Sequence, residues 1–276
     1  MLEHINGLSF IGRFFLSLYC WTVIAVLTVV LGIFTVLSSF ISPAVSLNIA
    51  KVWGRLILKI CGIKVRVIIN PATSNFKKNS GISKTLGVKG AQGAGVYPEN
   101  SKSYIITSNH QSYFDIFVLL ACLSIDFRFV AKKSLFKIPF LGQSMKRLGY
   151  IPIDRENLRS ALKSVKAGAE LLKNKTSVLI FPEGTRSLDG KLLSFKKGGL
   201  NMFLKQDNIS VLPVAIKGTV NILRKNSLTI HPGKTVELHI LQPIEVSEKN
   251  KGLMSGKEDG IIKTIEDEIR AALEFK

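Results

Sequence analysis

A long apolar run lies near the amino terminus. No charged residue occurs from Phe14 to Ala50, and the densest part, Phe14 to Ile41, exceeds the roughly 20 residues that a membrane-spanning helix needs. A cleaved signal peptide is the alternative, but its apolar core has only about 7–15 residues. The residues before the run also lack an excess of positive charge, because Glu3 offsets Arg13. The pattern therefore favours a retained helix embedded in a membrane.

Three cations in the next apolar stretch lie four residues apart. Lys51, Arg55 and Lys59 therefore share one stripe of a helix whose remaining positions are mostly apolar. Such a helix is typical of a membrane interface, with the basic stripe against lipid phosphate and Trp53 at the boundary. The alternative is a helix that packs on the protein core. Either a spanning helix or a re-entrant hairpin would satisfy residues 14–61.

Beyond this region, strand and helix patterns alternate. Strand patterns occur at Ile63–Ile69, Tyr104–Thr107, Ser177–Phe181, Ser210–Ile216 and Val236–Leu241, and helix patterns at Leu158–Leu172, Lys197–Lys205 and Gly260–Phe275. The alternation predicts an α/β fold with a largely parallel, helix-covered sheet and an apolar helical membrane segment at its amino terminus. We expect membrane-embedded helices over residues 1–62 and the α/β domain over residues 63–276.

A polar stretch over residues 72–103 interrupts this alternation and is rich in glycine, serine, asparagine and lysine. Its glycines, Gly87, Gly90, Gly93 and Gly95, suggest a phosphate-binding loop. However, their spacing matches neither the Walker motif nor a dinucleotide fingerprint, and no helix pattern follows them. The stretch is therefore predicted to be a mobile insertion.

The overall charge narrows the class of partner. The formal net charge is +19, yet 46% of the residues are hydrophobic and the mean hydropathy is +0.27. A chain that is both basic and apolar favours an anionic membrane surface over nucleic acid. Charge alone leaves a nucleic-acid-binding module open, but such a module would not explain the apolar amino terminus.

The first candidate for chemistry follows the strand at Tyr104–Thr107. In open α/β sheets, ligands bind beyond the carboxyl ends of the strands, which is where His110 lies. A turn and a helix could bring the carboxylate of Asp115 to one imidazole nitrogen and leave the other nitrogen as a base. The alternative is a structural histidine at a strand end and an aspartate that caps a helix.

A nucleophile for this base is missing from the chain. The Gly-x-Ser-x-Gly pattern does not occur, and none of the three cysteines has a suggestive setting. A base without a protein nucleophile implies that the substrate supplies one, for example an alcohol. Ser112 is the weaker alternative.

Several cations follow predicted strands. Arg155 ends a short strand, Lys133 follows another apolar run, and Arg186 lies just after the strand at Ser177–Phe181. A guanidinium matches the geometry of phosphate, and Gly184 permits close approach of the backbone. Together these residues predict an anion pocket, although each cation alone could be a solvated surface charge.

Four segments resemble motifs of the glycerolipid acyltransferase family and occur in the same order: His110 with Asp115, Tyr150–Arg155, Phe181–Ser187 and Val211–Val214. The likeness extends over about residues 104–216, and it is greatest to bacterial 1-acylglycerol-3-phosphate acyltransferases of the PlsC type. The glycine-rich insertion departs from compact members of the family. This departure affects the expected local structure and not the chemistry.

The resemblance implies a reaction and a set of roles. An acyl thioester of coenzyme A or acyl carrier protein would acylate the sn-2 hydroxyl of 1-acyl-glycerol-3-phosphate, with His110 as base and Asp115 orienting it. The residues expected to bind the substrate are Lys133, Arg155, Glu183, Gly184, Thr185 and Arg186. Pro213 would have a structural role near the site. Neither a metal nor an organic cofactor is expected.

The sequence leaves open alternative functions within and outside this enzyme class. The acceptor could be glycerol 3-phosphate or another lysophospholipid, because the motifs specify the chemistry better than the head group. A non-catalytic protein that binds anionic lipid would leave the ordered motifs unexplained. The expected location is a membrane, namely a bacterial inner membrane with the catalytic domain on its cytoplasmic face.

Overall fold

The computed structural model describes residues 10–69, 77–78, 96–97, 102–154, 157–205, 209–246 and 258–274. The helices are α1 (Phe10–Ser38), α2 (Pro43–Ile60), α3 (Phe114–Cys122), α4 (Leu141–Arg147), α5 (Leu158–Lys173), α6 (Lys197–Leu204) and α7 (Glu258–Glu274). The strands are β1 (Lys64–Ile69), β2 (Lys77–Lys78), β3 (Val96–Tyr97), β4 (Tyr104–Ser108), β5 (Phe127–Lys132), β6 (Ile151–Ile153), β7 (Ser177–Ile180), β8 (Ile209–Lys217), β9 (Thr235–Ile240) and β10 (Ile244–Val246). Short 3₁₀ turns lie at Lys133–Lys137 and Thr219–Asn221.

The main sheet has the strand order β1-β9-β8-β4-β7-β5-β6, and β10 also pairs with β8. All neighbouring pairs are parallel except β8 with β9 and β8 with β10. The central strands β4 and β7 are buried at every position, as expected for parallel strands that are covered on both faces. The predicted α/β fold with a largely parallel sheet is therefore confirmed.

Helices cover both faces of this sheet and enclose two apolar cores. On one face, α2, α3 and α4 pack on side chains such as Ile106 and Leu212. On the other face, α5, α6 and α7 pack on side chains such as Ile105 and Val178. Consecutive residues of a strand point to opposite faces, so β4 contributes to both cores. This layering leaves the carboxyl edge of the sheet as the place where loops from several strands meet.

Helix α1 lies outside the helix layer formed by α2 and α4. The most apolar window of its segment Ile11–Ser38 has a mean hydropathy of 2.5, and only 17% of that window is buried, so by length and composition the helix could cross a membrane. However, the Trp21 indole donates to the Leu228 carbonyl at 2.7 Å, and the Ser144 hydroxyl donates to the Gly32 carbonyl at 3.1 Å. The helix is thus attached to the α/β domain in both of its halves, which also favours a retained segment over a signal peptide.

Helix α2 packs on the protein, which was the alternative to a lipid-facing helix. Gly54 allows this close approach, because a Cβ there would lie 3.0 Å from the Leu120 Cβ. The Lys51 ammonium donates to the Ser124 carbonyl at 3.2 Å and the Arg55 guanidinium to the Ala121 carbonyl. These two cations therefore satisfy carbonyls at the end of α3 and do not face lipid phosphate as the interfacial interpretation predicted.

Most of the predicted insertion at residues 72–103 lies outside the described residues. Within it, β2 and β3 pair in antiparallel fashion. Its predicted mobility and the domain boundary at residue 62 stay predictions.

Candidate active site

Polar residues follow the carboxyl ends of five parallel strands. In the order of the sheet, Thr219 follows β8, His110 follows β4, Glu183 follows β7, Lys133 follows β5 and Asp154 follows β6. Because these five strands run parallel, the residues that follow them lie at one edge of the sheet, where ligands bind in open α/β folds.

His110 and Asp115 form a hydrogen-bonded pair. The distance from His110 Nδ1 to Asp115 Oδ2 is 2.7 Å, and the Asp115 side chain is 0% exposed. Oδ2 also accepts the backbone N–H groups of Gln111 at 2.7 Å and Ser112 at 2.9 Å, and Oδ1 accepts the Thr219 hydroxyl. Because donors hold both oxygens of Asp115, its carboxylate accepts the bond from His110. Nδ1 of the imidazole is therefore the protonated nitrogen.

The other imidazole nitrogen is available for chemistry. The His110 ring stacks on the Phe181 ring, with 4.0 Å between centroids and 15° between planes. This contact and the bond to Asp115 fix the ring orientation. The His110 side chain is 15% exposed, and no described residue hydrogen-bonds to Nε2. Nε2 therefore carries a lone pair at the edge of the sheet and can accept a proton.

The loop that carries His110 is anchored to β8 and to the loop beyond it. The Asn109 amide donates to the Ile216 carbonyl at 2.8 Å and accepts the Ile216 N–H at 2.7 Å. The Ser112 hydroxyl is completely buried and donates to the Leu223 carbonyl at 2.8 Å. This bond directs the Ser112 hydroxyl proton away from His110. Ser112 thus supports the loop and is poorly placed to be the nucleophile that was considered as an alternative.

Glu183 supports the same loop from β7. Its two carboxylate oxygens accept the backbone N–H groups of His110 and Leu193, and the Ser187 N–H donates to the His110 carbonyl at 2.8 Å. Burial raises the pKa of Glu183 to about 7, although the two backbone N–H groups oppose this shift. The carboxylate is therefore engaged by backbone, and its predicted part in substrate binding stays a prediction.

The three residues after Glu183 shape one side of the site. Gly184 has a φ of +72°, a left-handed conformation that favours glycine. The Thr185 hydroxyl accepts the Lys225 ammonium at 2.9 Å. The Arg186 guanidinium lies over the Tyr113 ring, 3.8 Å from its centroid. This stacking holds a cation beside the His110 loop, where a phosphate could reach it.

Lys133 lies farther along the carboxyl edge. It follows β5, which is separated from β4 by β7, so the two strands are about 10 Å apart. Its ammonium lies 4.0 Å from the Asp154 carboxylate, and its side chain is 63% exposed. Arg155, the other predicted phosphate ligand, lies outside the described residues. The structure thus brings the loops of His110 and Glu183 into contact, whereas Lys133 follows β5, which lies two strands away from β4.

Sequence reasoning missed two contributors to this site. Thr219 binds the catalytic candidate Asp115 across more than a hundred positions of sequence, and Lys225 binds Thr185. The signal in the sequence was position, because Thr219 follows the strand that contains the fourth motif. In the structure, Gly218 before it has a left-handed φ of +96°. A polar residue just beyond a buried strand would have been a reasonable candidate.

Most of the site falls within a segment that matches known proteins. A profile of the family described as acyltransferase matches residues 92–217. The chloroplastic 1-acyl-sn-glycerol-3-phosphate acyltransferase LPAT1 of Arabidopsis thaliana is 39% identical over 150 residues, which cover 54% of this chain and 42% of that protein. A 1-acyl-sn-glycerol-3-phosphate acyltransferase of Borreliella burgdorferi is 33% identical over 166 residues, or 59% of this chain and 66% of that protein. The match thus covers less than half of the length of the plant protein.

A solved structure agrees over nearly the whole chain. The 1-acyl-sn-glycerophosphate acyltransferase PlsC of Thermotoga maritima superposes with a TM-score of 0.73 at 27% identity, covering 96% of this chain and 95% of that one. The His110–Asp115 pair, the loop after β7 and the strand β8 all lie within the segment that the family profile matches. Residues 92–217 therefore match the acyltransferase family, and the fold resembles that of PlsC over nearly the whole chain.

Proposed function

We propose that the chain transfers an acyl group from a thioester to the sn-2 hydroxyl of 1-acyl-glycerol-3-phosphate and so forms phosphatidic acid. The observation that carries this proposal is the His110–Asp115 pair, which leaves Nε2 available at the carboxyl edge while the neighbouring Ser112 hydroxyl is bound to the Leu223 carbonyl. The names of the relatives support the choice of acceptor. The thioester carrier is coenzyme A or acyl carrier protein.

The positions of the His110 and Asp115 side chains explain how the proposed acyl transfer would proceed. His110 Nε2 removes the proton of the acceptor hydroxyl while its oxygen forms a bond to the thioester carbonyl carbon. Asp115 stabilises the imidazolium that results, because its Oδ2 already binds Nδ1. When the tetrahedral intermediate collapses, the C–S bond breaks and the thiolate takes the proton back from Nε2. General-base catalysis of this kind is worth about 10²–10⁴-fold.

The acceptor phosphate would lie among the cations of the carboxyl edge. Arg186 is the best placed of these, since it is held over Tyr113 beside the His110 loop. Lys133 would extend the positive edge towards β6, and Arg155 stays a predicted phosphate ligand. Gly184 would permit backbone approach, and Thr185 presents a hydroxyl that already binds an ammonium. Neither this binding nor the transfer requires a metal ion or organic cofactor.

The apolar surface of α1 would hold the enzyme in one leaflet of a membrane. The helix has 29 residues and is about 43 Å long, yet it is hydrogen-bonded to the domain at Trp21 and at Gly32. A helix that crossed the bilayer would carry these domain contacts into hydrocarbon. In one leaflet, the acceptor's acyl chain stays in lipid, which avoids about 0.8 kcal/mol for each CH₂ extracted. A cytoplasmic-face location on a bacterial inner membrane stays a prediction.

An acceptor panel tests this function. Purified full-length protein is given an acyl thioester with 1-acyl-glycerol-3-phosphate, glycerol 3-phosphate or an uncharged monoacylglycerol, and the esterified product is measured. We expect fastest turnover of 1-acyl-glycerol-3-phosphate and a loss of about 10²–10⁴-fold in His110→Ala. His239→Gln, in β9 and outside the loops of the site, is the control that should retain activity. Preference for glycerol 3-phosphate would contradict the acceptor, and an active His110→Ala protein would contradict the base.

A further inference from the structure

The connection between β8 and β9, residues 218–234, links the candidate active site to α1. At its start, Thr219 binds Asp115 and the Leu223 carbonyl binds Ser112. At its other end, it meets the apolar helix, where the Trp21 indole donates to the Leu228 carbonyl at 2.7 Å. None of the four family-like motifs includes this connection, so the proposed reaction leaves its surface unexplained.

A second pair of hydrogen bonds fastens the connection to α1. The Ser17 hydroxyl accepts the Ile230 N–H at 3.1 Å and lies 3.3 Å from the Ile230 carbonyl. Both groups are buried. Because two neighbouring turns of α1 are bonded to the connection, the connection and the amino-terminal half of α1 form one continuous surface.

Four cations on this surface have no acidic partner among the described residues. Arg13, Arg224, Lys225 and Lys234 form no ion pair with any carboxylate in the described ranges. Three of them lie close enough to influence one histidine, because burial lowers the pKa of His231 and the charges of Lys234, Arg13 and Arg224 lower it further. A like-charged cluster without local compensation costs free energy unless an anion is present.

The cations border exposed apolar side chains. Leu228, at the turn of the connection, is 78% exposed, and on α1 Phe14 is 59% exposed and Leu18 is 51% exposed. Asn226, two residues before Leu228, has a φ of +65°, so a tight turn presents the leucine. Cations beside projecting apolar side chains are the combination that binds a bilayer interface, with apolar groups among acyl chains and cations against phosphate.

We infer that the surface formed by Arg13, Arg224, Lys225, Lys234 and Leu228 binds the anionic phospholipid face of a bilayer. We call it the basic connection. The inference rests on the membrane placement of α1 proposed above and is independent of the acyl-transfer reaction. A bilayer fits better than a soluble acidic partner, since the surface is continuous with the exposed apolar side of α1. Lys225, which also binds Thr185, extends this surface to the candidate site.

Competition between two kinds of vesicle tests the inference. Full-length protein in mild detergent is added to a mixture of phosphatidylcholine vesicles and vesicles of phosphatidylcholine with phosphatidylglycerol, which are separated by density. Because α1 contributes to binding of both kinds of vesicle, its apolar contribution cancels in the ratio of protein bound to the two populations. A triple variant, Arg13→Gln, Arg224→Gln and Lys234→Gln, removes three cations of the basic connection and leaves Lys225 in place.

A second triple variant provides a control with the same net charge. Arg159→Gln, Lys163→Gln and Lys166→Gln remove three exposed cations from α5, on the opposite face of the sheet. Each cation near an anionic surface contributes a factor of about five, equal to about 1 kcal/mol. We therefore expect the first variant to lose preference for anionic vesicles by on the order of a hundredfold and the α5 variant to lose far less.

Three outcomes would overturn the inference. If the first variant keeps the wild-type ratio, or if the α5 variant loses as much, the basic connection does not bind anionic lipid. Unchanged binding of the first variant to neutral vesicles would show that its fold and α1 are intact. Wild-type protein that binds neither kind of vesicle would overturn the membrane placement and this inference with it, without affecting the acyl-transfer proposal.

Discussion

The carboxyl edge of the sheet buries a charged side chain, whereas helix α1 exposes apolar side chains. At the edge, the carboxylate of Asp115 is 0% exposed, whereas only 17% of the apolar window of α1 is buried. A buried charge is tolerated only when donors surround it, and Asp115 has four. An exposed apolar surface needs an apolar environment. The difference indicates that the Asp115 carboxylate is satisfied within the protein, whereas α1 needs an apolar environment outside the described residues.

The largest expected effect concerns this exposed surface of α1. Replacing Phe14, Phe15 and Leu18 with Gln should weaken membrane binding by about 10³-fold or more, because each apolar side chain contributes about 1.5–3 kcal/mol on transfer from water. The melting temperature in detergent should change little, since these side chains are exposed in the protein. Vesicle flotation and thermal unfolding measure the two effects.

A single exposed leucine on the opposite face serves as the control. Leu162 of α5 is 44% exposed, and Leu162→Gln should leave vesicle binding unchanged. If the α1 variant unfolds at a much lower temperature, α1 is held by protein contacts through these side chains and the comparison fails.

The unfolding free energy of the protein should depend on pH because Glu183 is buried at the carboxyl edge. Its pKa is raised from 4.5 to about 7, so the stability that it contributes is present below about pH 4.5 and is lost as the pH rises through about 7. Glu183→Gln does not ionise. From about pH 5 to about pH 8, the unfolding free energy of the wild type should therefore fall relative to that of the variant, by up to about 3 kcal/mol.

Denaturant unfolding at the two pH values measures this difference. Glu170→Gln, at an exposed position of α5, should show no such trend. A wild-type-to-Glu183→Gln difference that stays constant over the window would mean that Glu183 is ionised throughout.

Arg186 tests whether the edge binds phosphate. Arg186→Ala should raise KM for a phosphorylated acceptor by roughly 10–100-fold, because a charge-assisted hydrogen bond is lost. Turnover of an uncharged acceptor should change much less. Arg186→Lys keeps the charge but not the planar stacking on Tyr113, and it should recover part of the affinity. Equal losses for both acceptors would contradict the phosphate role.

Thr219 should have the smallest of these effects. Thr219→Val removes the hydroxyl that binds Asp115 and should lower kcat by about tenfold with little change in KM, because the lost bond to a buried carboxylate costs about 1.5 kcal/mol. Thr219→Ser retains a hydroxyl and should restore most of kcat. A fall in stability that Thr219→Ser does not reverse, with kcat unchanged, would assign Thr219 a purely structural role.

Sequence patterns predicted the parts of the fold that depend on local apolar periodicity. The strands at β4, β7 and β8 and the helix α5 lie within one or two residues of their predicted positions. The His110–Asp115 contact was also predictable, because five positions of chain separate the two residues at a strand end. Apolar length alone identified α1.

The missed features depend on contacts between distant residues. The antiparallel pairing of β9 with β8 reflects the path of the β8–β9 connection, which periodicity does not report. The packing of α2 on α3 needs the close approach at Gly54, and its basic stripe was interpretable in two ways. Thr219 reaches Asp115 only because β8 and β4 are neighbours in the sheet.

The central claim is that His110 and Asp115 act as one unit on a substrate hydroxyl, and a double-variant comparison tests it most directly. Phosphatidic acid formation is measured for His110→Ala, Asp115→Asn and both together, with Asp126→Asn, an exposed aspartate, as control. We predict that His110→Ala loses about 10²–10⁴-fold in kcat and that the double variant loses no more. Losses that multiply in the double variant, or a His110→Ala protein with near wild-type kcat, would contradict the claim.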